Sequence, residues 1–228
     1  STKVNAYRIH LKAPETNLAT LDSWAKGSFR GAKYYISAED TNIGYITNME
    51  ALVVHDGSDA YITSFGHTAS GDNPLITLTA AISGSNVVVS AAGLETNLSL
   101  KIHKILLKDN MTADSSNANQ KAFASVTISS TATAIDTMDL DDGNGAVYYI
   151  VGKNDTEGSF SITEVFTAAT PGVPAVANGL QVSSKSTPLI EYTAEFDTSA
   201  ENSLELFASS TAGGSTTVSG YRISALAV

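Results

Sequence analysis

The chain has 228 residues and 23.7 kDa, room for one large domain or two of ordinary size. Only 16% of residues are charged, and 13 Lys and Arg against 23 Asp and Glu give a net charge of −10, a surface that repels nucleic-acid phosphates and anionic membranes. The absence of cysteine excludes disulfides and thiolate metal sites, and no run of about 18 apolar residues is there to span a membrane.

The chain opens at Ser1 on a polar segment with no charged start and apolar run, so a cytosol-made protein without a signal peptide is expected. Lys3–Lys12, with Val4, Ala6, Tyr7, Ile9 and Leu11, reads as the first strand. Leu18–Trp24 leaves room for a helical turn at a strand edge. Ala32–Glu39 reads as a central strand. Tyr45–His55 and Ala60–Phe65 form a hairpin around Asp56-Gly57-Ser58-Asp59, because a tight turn needs residues that tolerate positive φ. Leu75–Ile82 and Val87–Ala91 flank a second turn at Ser83-Gly84-Ser85-Asn86. Leu98–Leu107 alternates Leu98, Leu100 and Ile102 with Ser99, Lys101 and His103, the period of a half-buried strand. Ala113–Ala124 is the other place where one helical turn fits. Short strands at regular spacing predict an all-β sandwich or barrel.

The pattern then repeats. Gly31-Ala32-Lys33-Tyr34-Tyr35-Ile36 matches Gly145-Ala146-Val147-Tyr148-Tyr149-Ile150, an offset of 114. The same offset pairs Asp22 with Asp136, Gly44 with Gly158, Glu50 with Glu164, and Leu75-Ile76 with Leu189-Ile190. His103-Lys104-Ile105 matches Tyr221-Arg222-Ile223 at an offset of 118. The expected organisation is two tandem β-sandwich domains related by internal duplication: repeat 1 over 1–108, a polar linker over 109–120, and repeat 2 over 121–228. Tyr34/Tyr35 and Tyr148/Tyr149 should lie on equivalent strands, each with one Tyr inward.

Chemistry-bearing constellations are few. His10, His55, His67 and His103 share no metal-ligand spacing; His10 and His103 read as solvent-side or edge residues, and His55-Asp56-Gly57 as turn chemistry. Asp139-Leu140-Asp141-Asp142-Gly143-Asn144-Gly145 clusters oxygens as a Ca²⁺ loop does, but lacks the later bidentate Glu and reads by default as a solvated turn. Its counterpart Ala25–Gly31 carries two cations and no acid. No phosphate loop, nucleophile elbow or HExxH occurs, so no catalytic, metal or cofactor residues are expected. Trp24 and Phe29 flank a short loop, where a buried plug is commoner than a sugar-stacking surface.

The runs Arg30–Ile36, Met49–Thr63 (Met-Glu-Ala-Leu-Val-Val-His-Asp-Gly-Ser-Asp-Ala-Tyr-Ile-Thr) and Ile82–Val87 resemble a β-module of virion structural proteins in tailed phages, especially those of marine cyanobacteria. The likeness covers about 30–107. Repeat 2 keeps Tyr148-Tyr149-Ile150, Thr163-Glu164-Val165 and Asn202, and has Ala168-Ala169-Thr170-Pro171-Gly172 in place of the His-Asp-Gly hairpin. The resemblance implies a non-enzymatic particle component at capsid, neck, tail or fibre, assembled in the host cytoplasm with other virion proteins. The alternative is a carbohydrate-binding adhesin module recognising host glycans through Trp24, Phe29, Tyr45 and Tyr61. The terminal segments Val4–Leu11 and Tyr221–Val228, apolar and without a guarding proline, read as edge strands, and the apolar run Ile223–Val228 predicts a homo-oligomer, with Ser224, Leu226 and Val228 as subunit contacts.

Overall fold

The computed structural model describes residues 3–11, 18–93, 97–117, 120–140, 144–170, 173–177, 179–197 and 203–225. They form eighteen antiparallel strands and no α-helix, in two compact units, Ser1–Leu107 and Lys108–Val228.

Unit 1 holds β1 (Lys3–Leu11), β2 (Ala19–Ala25), β3 (Gly31–Asp40), β4 (Ile46–His55), β5 (Ala60–Ala69), β6 (Ile76–Ser83), β7 (Asn86–Gly93) and β8 (Leu98–Leu107). One sheet runs β1-β8-β3-β4-β5 and the other β2-β7-β6. Alternate residues of both sheets meet in one core: Tyr34, Ile36, Met49, Leu100 and Ile102 from the first, Leu21, Trp24, Ile76, Val87 and Val89 from the second. The β6–β7 turn places Gly84 at φ 59°, the first central position of a two-residue hairpin loop, where a side chain would be strained.

Unit 2 holds β9 (Asp114–Asn117), β10 (Gln120–Ile128), β11 (Thr133–Asp139), β12 (Gly145–Asn154), β13 (Ser159–Thr170), β14 (Val173–Ala177), β15 (Gln181–Ser183), β16 (Ile190–Asp197), β17 (Ser203–Ser210) and β18 (Thr216–Ala225). Its sheets run β14-β13-β12-β18-β10-β9, with β15 also on β13, and β11-β17-β16. Its core gathers Phe123, Met138, Tyr148, Ile150, Val165, Tyr192, Leu204 and Val218.

The order β1-β8-β3-β4-β5 with β2-β7-β6 recurs as β10-β18-β12-β13 with β11-β17-β16, the fifth position being shared by β14 and β15. Smaller features recur with it. The turns after β3 and β12 each place a glycine at positive φ, Gly44 at 74° and Gly158 at 64°. There Asp40 and Asn154 accept backbone N–H bonds from Asn42 and Thr156, respectively. The register slips between Thr20 and Asp22 on β2, and between Ala134 and Asp136 on β11. Such a bulge lets two successive residues face the same side, so Asp22 joins Leu21, and Asp136 joins Ile135, on the core side.

Each of these acids meets a cation from the opposite sheet. Lys104 on β8 lies 2.7 Å from Asp22, with the two side chains 8% and 9% exposed; Arg222 on β18 lies 2.6 Å from Asp136, at 2% and 3%. Tyr34 donates to Asp22 at 2.6 Å and accepts from Trp24 Nε1 at 3.0 Å, so the first pair ends a buried chain of hydrogen bonds. In unit 2 Arg222 also donates to the Thr137 carbonyl at 3.1 Å.

The structure corrects three sequence expectations. Leu18–Trp24 does not start a helical turn; all but Leu18 belongs to β2, and the bulge is what disguised the strand. Ala113–Ala124 contains β9 and part of β10 in place of a helical turn, and β9, inside the segment read as a linker, pairs with β10. The terminal strand β18 is not an edge, since it pairs with β10 on one side and β12 on the other.

Both tyrosine pairs occupy equivalent strands. Tyr34 and Tyr148 are in the cores, Tyr35 is half-buried on the opposite face, and Tyr149, also opposite, is nevertheless only 2% exposed. Burial pushes the phenols of Tyr192 and Tyr148 far above their ordinary range, with the Asp136 charge adding to the shift at Tyr148. Because the folded chain holds Tyr192 neutral, its stability is intact below the unfolded tyrosine pKa of about 10 and falls as pH rises beyond it. Tyr192→Phe should therefore flatten the alkaline limb of a stability–pH profile by up to about 1.4 kcal/mol per pH unit. Parallel urea titrations between pH 8 and about 11 would show the two curves diverging only above the unfolded value of about 10.

Candidate functional site

The four aromatics of the adhesin reading do not share a surface. Trp24 is 5% exposed, with its Nε1 hydrogen bonded to Tyr34 and its ring centroid 5.6 Å from that of His55, so it cannot stack on a sugar. Phe29 is half-buried against the core. Tyr61 is half-buried and donates to Asp56 at 2.9 Å. Tyr45 alone is exposed, at 46%.

Ser224, expected as a subunit contact, is 6% exposed within unit 2, and its hydroxyl lies 3.5 Å from Met138 Sδ. Leu226 and Val228 lie outside the described residues, as do Asp141, Asp142 and Gly143 of the acidic loop. Asp139 ends β11. Among the described residues no group of three His, Asp or Glu side chains is placed to hold a metal.

His55-Asp56-Gly57 does the work of a turn. Asp56 accepts backbone N–H bonds from Ser58 and Asp59, both at 2.8 Å, while Gly57 sits at φ 104°. Partial burial works to raise the Asp56 carboxyl, but the Asp59 and Ser58 N–H groups and the Tyr61 hydroxyl outweigh it and hold the pKa below its ordinary value. His55 is 1% exposed; its Nε2 lies 2.9 Å from the Phe29 carbonyl, which makes that nitrogen the N–H donor. His10 lies on the edge strand β1 and His67 is exposed on β5. His103 is exposed as expected, but on β8, an interior strand.

The first sheet of unit 1 carries an open groove of about 800 Å³ on the face turned away from that unit's core. Antiparallel register builds it as two rows across four strands. His103, Tyr35 and Glu50 form one row; Lys101, Ser37, Asn48 and Thr68 form the other. Neighbouring strands are about 4.8 Å apart and side chains on one face recur every ~6.8 Å, so the patch spans roughly 15 by 7 Å. The His103 and Tyr35 rings are 6.2 Å apart and tilted. Glu50 pairs with the buried Lys33, whose ammonium sits 5.0 Å from the Tyr35 centroid and 4.3 Å from that of Phe65. Gly66, at φ 60°, belongs to a bulge of β5 between the Asn48 and Glu50 positions of β4, where Gly66 and His67 face Met49.

No family model, curated protein or solved structure matches the chain.

In unit 2 the same face differs. The positions equivalent to Lys101, Ser37, Asn48 and Thr68 are Ser219, Val151, Ile162 and Val182, all buried. Tyr149 and Glu164 are each 2% exposed as well. Sequence reasoning did not find the groove. The available signal was the requirement that, with Tyr34 inward, Tyr35 faces out together with Ser37, Lys101 and His103 on neighbouring strands.

Proposed function

We propose that the chain is a non-enzymatic structural protein of a tailed-phage particle, a capsid decoration or a neck, tail or fibre component, acting through contacts with other virion proteins and further copies of itself. The observation that carries this reading is the use of its reactive residues. Asp22, Lys104, Asp136 and Arg222 tie sheet to sheet inside each sandwich, and His55 and Asp56 hold a hairpin. Charges placed this way serve packing and turn geometry, as in a rigid building block. The recurrence of strand order, bulge, turn and ion pair in the two units supports reading them as copies of one module. Edge strands β1, β5 and β6 each pair on one side only, which leaves backbone groups for lateral contact. The phage assignment itself rests on the residues of 30–107 quoted above. Mass spectrometry of purified particles tests it: the chain should be detected at stoichiometric level, and its absence from intact particles overturns the proposal.

A further inference from the structure

We propose that the groove on the first sheet of unit 1 binds an acidic saccharide, a sugar chain bearing carboxylate or sulfate groups. Three properties of the groove meet in that ligand. Tyr35 and His103 give ring surfaces that the C–H face of a pyranose can lie against. Ser37, Asn48 and Thr68, half-buried or exposed, supply hydroxyl and amide groups that both donate and accept, as sugar hydroxyls require. The third property is charge. The chain as a whole carries 23 acids against 13 Lys and Arg, yet the groove's one carboxylate, Glu50, is already paired with Lys33, while Lys101 is exposed there. An exposed cation in a groove of an otherwise acidic protein selects an anion, and the surrounding negative charge discourages the same chain from settling elsewhere.

The volume of about 800 Å³ is in the range of ordinary ligand sites, and the roughly 15 Å span across the strands seats two to three sugar rings. Unit 2 provides an internal contrast, because Ser219 and Tyr221 stand where unit 1 has Lys101 and His103, and the row of Ser219, Val151, Ile162 and Val182 is uncharged and buried. One site per chain follows.

Isothermal titration of the full chain at low salt, with oligogalacturonate, a sulfated oligosaccharide, neutral cellohexaose and sodium acetate as probes, tests this. The expected result is one site per chain for at least one of the two anionic oligosaccharides, with acetate and cellohexaose at least tenfold weaker. Lys101 and His103 are exposed, so Lys101→Gln/His103→Gln should keep the wild-type melting temperature and lose at least tenfold in affinity. Tyr35→Leu should weaken binding similarly. Equal affinity for cellohexaose, failure of both anionic oligosaccharides to bind, or full binding by the double variant overturns the proposal. These outcomes are separate from whether the chain is found in particles.

Discussion

Arg222→Met, with Asp136 left in place, is expected to lower the unfolding free energy by about 3–5 kcal/mol. The reason is the acid that remains. Asp136 has a side chain only 3% exposed, fixed inside by the bulge on β11, and loses the guanidinium 2.6 Å away that offsets its desolvation. Lys121 approaches Asp136 at 3.6 Å from a 31% exposed position and should keep the loss toward the lower end. The double variant Arg222→Met/Asp136→Leu should recover most of the stability, because removing both charges removes the buried-charge problem. Urea denaturation of the two variants and the wild type makes the comparison. If the single and double variants are equally destabilised, the effect is packing and not charge. Lys104→Met should behave likewise in unit 1, where Asp22 would lose its cation.

Tyr34→Ala should cost about 3–5 kcal/mol, the range for deleting a large aromatic side chain from a core. Tyr34 is 1% exposed, and its hydroxyl is the link between Trp24 Nε1 and Asp22. Truncation leaves a cavity and also takes a partner from two buried polar groups, each worth about 1–3 kcal/mol when left unsatisfied. Tyr34→Phe isolates that second part, since the ring stays and only the hydroxyl goes. The neighbouring Tyr35→Ala, on the half-buried outer face, should cost clearly less. Equal losses at 34 and 35 in denaturant titrations would contradict the inward placement of Tyr34.

Most strands of unit 1 were readable from short windows, and the exceptions have local physical causes. The stretch Ala19–Ala25 buries Leu21 and Trp24, three apart, because a bulge interrupts the alternation. A spacing of three resembles one helix face, which is why the segment read as a turn of helix. In β8 the alternation holds from Leu100 to His103 and then stops, since Lys104, Ile105, Leu106 and Leu107 are all buried. A strand buried on both faces has no period for the sequence to display. The aromatics Trp24 and Tyr61 invited a binding role by residue type alone, and their burial assigns them to packing and to the hairpin.

By itself the sequence determined what depends on neighbours along the chain. It specified an all-β chain, the Asp-Gly and Gly-Ser turns, most strand bounds of unit 1 and one inward Tyr in each tyrosine pair, because alternation and positive-φ tolerance act over a few residues. Tertiary structure decided which distant residues meet. Asp22 and Lys104 are 82 positions apart, and Asp136 and Arg222 are 86 apart. The groove takes two or three residues from each of β3, β4, β5 and β8. A shift of one residue in the register between any two of those strands would turn its contribution to the other face of the sheet. That register comes from packing the whole sandwich, so the ion pairs and the groove exist only once both sheets have closed on their core.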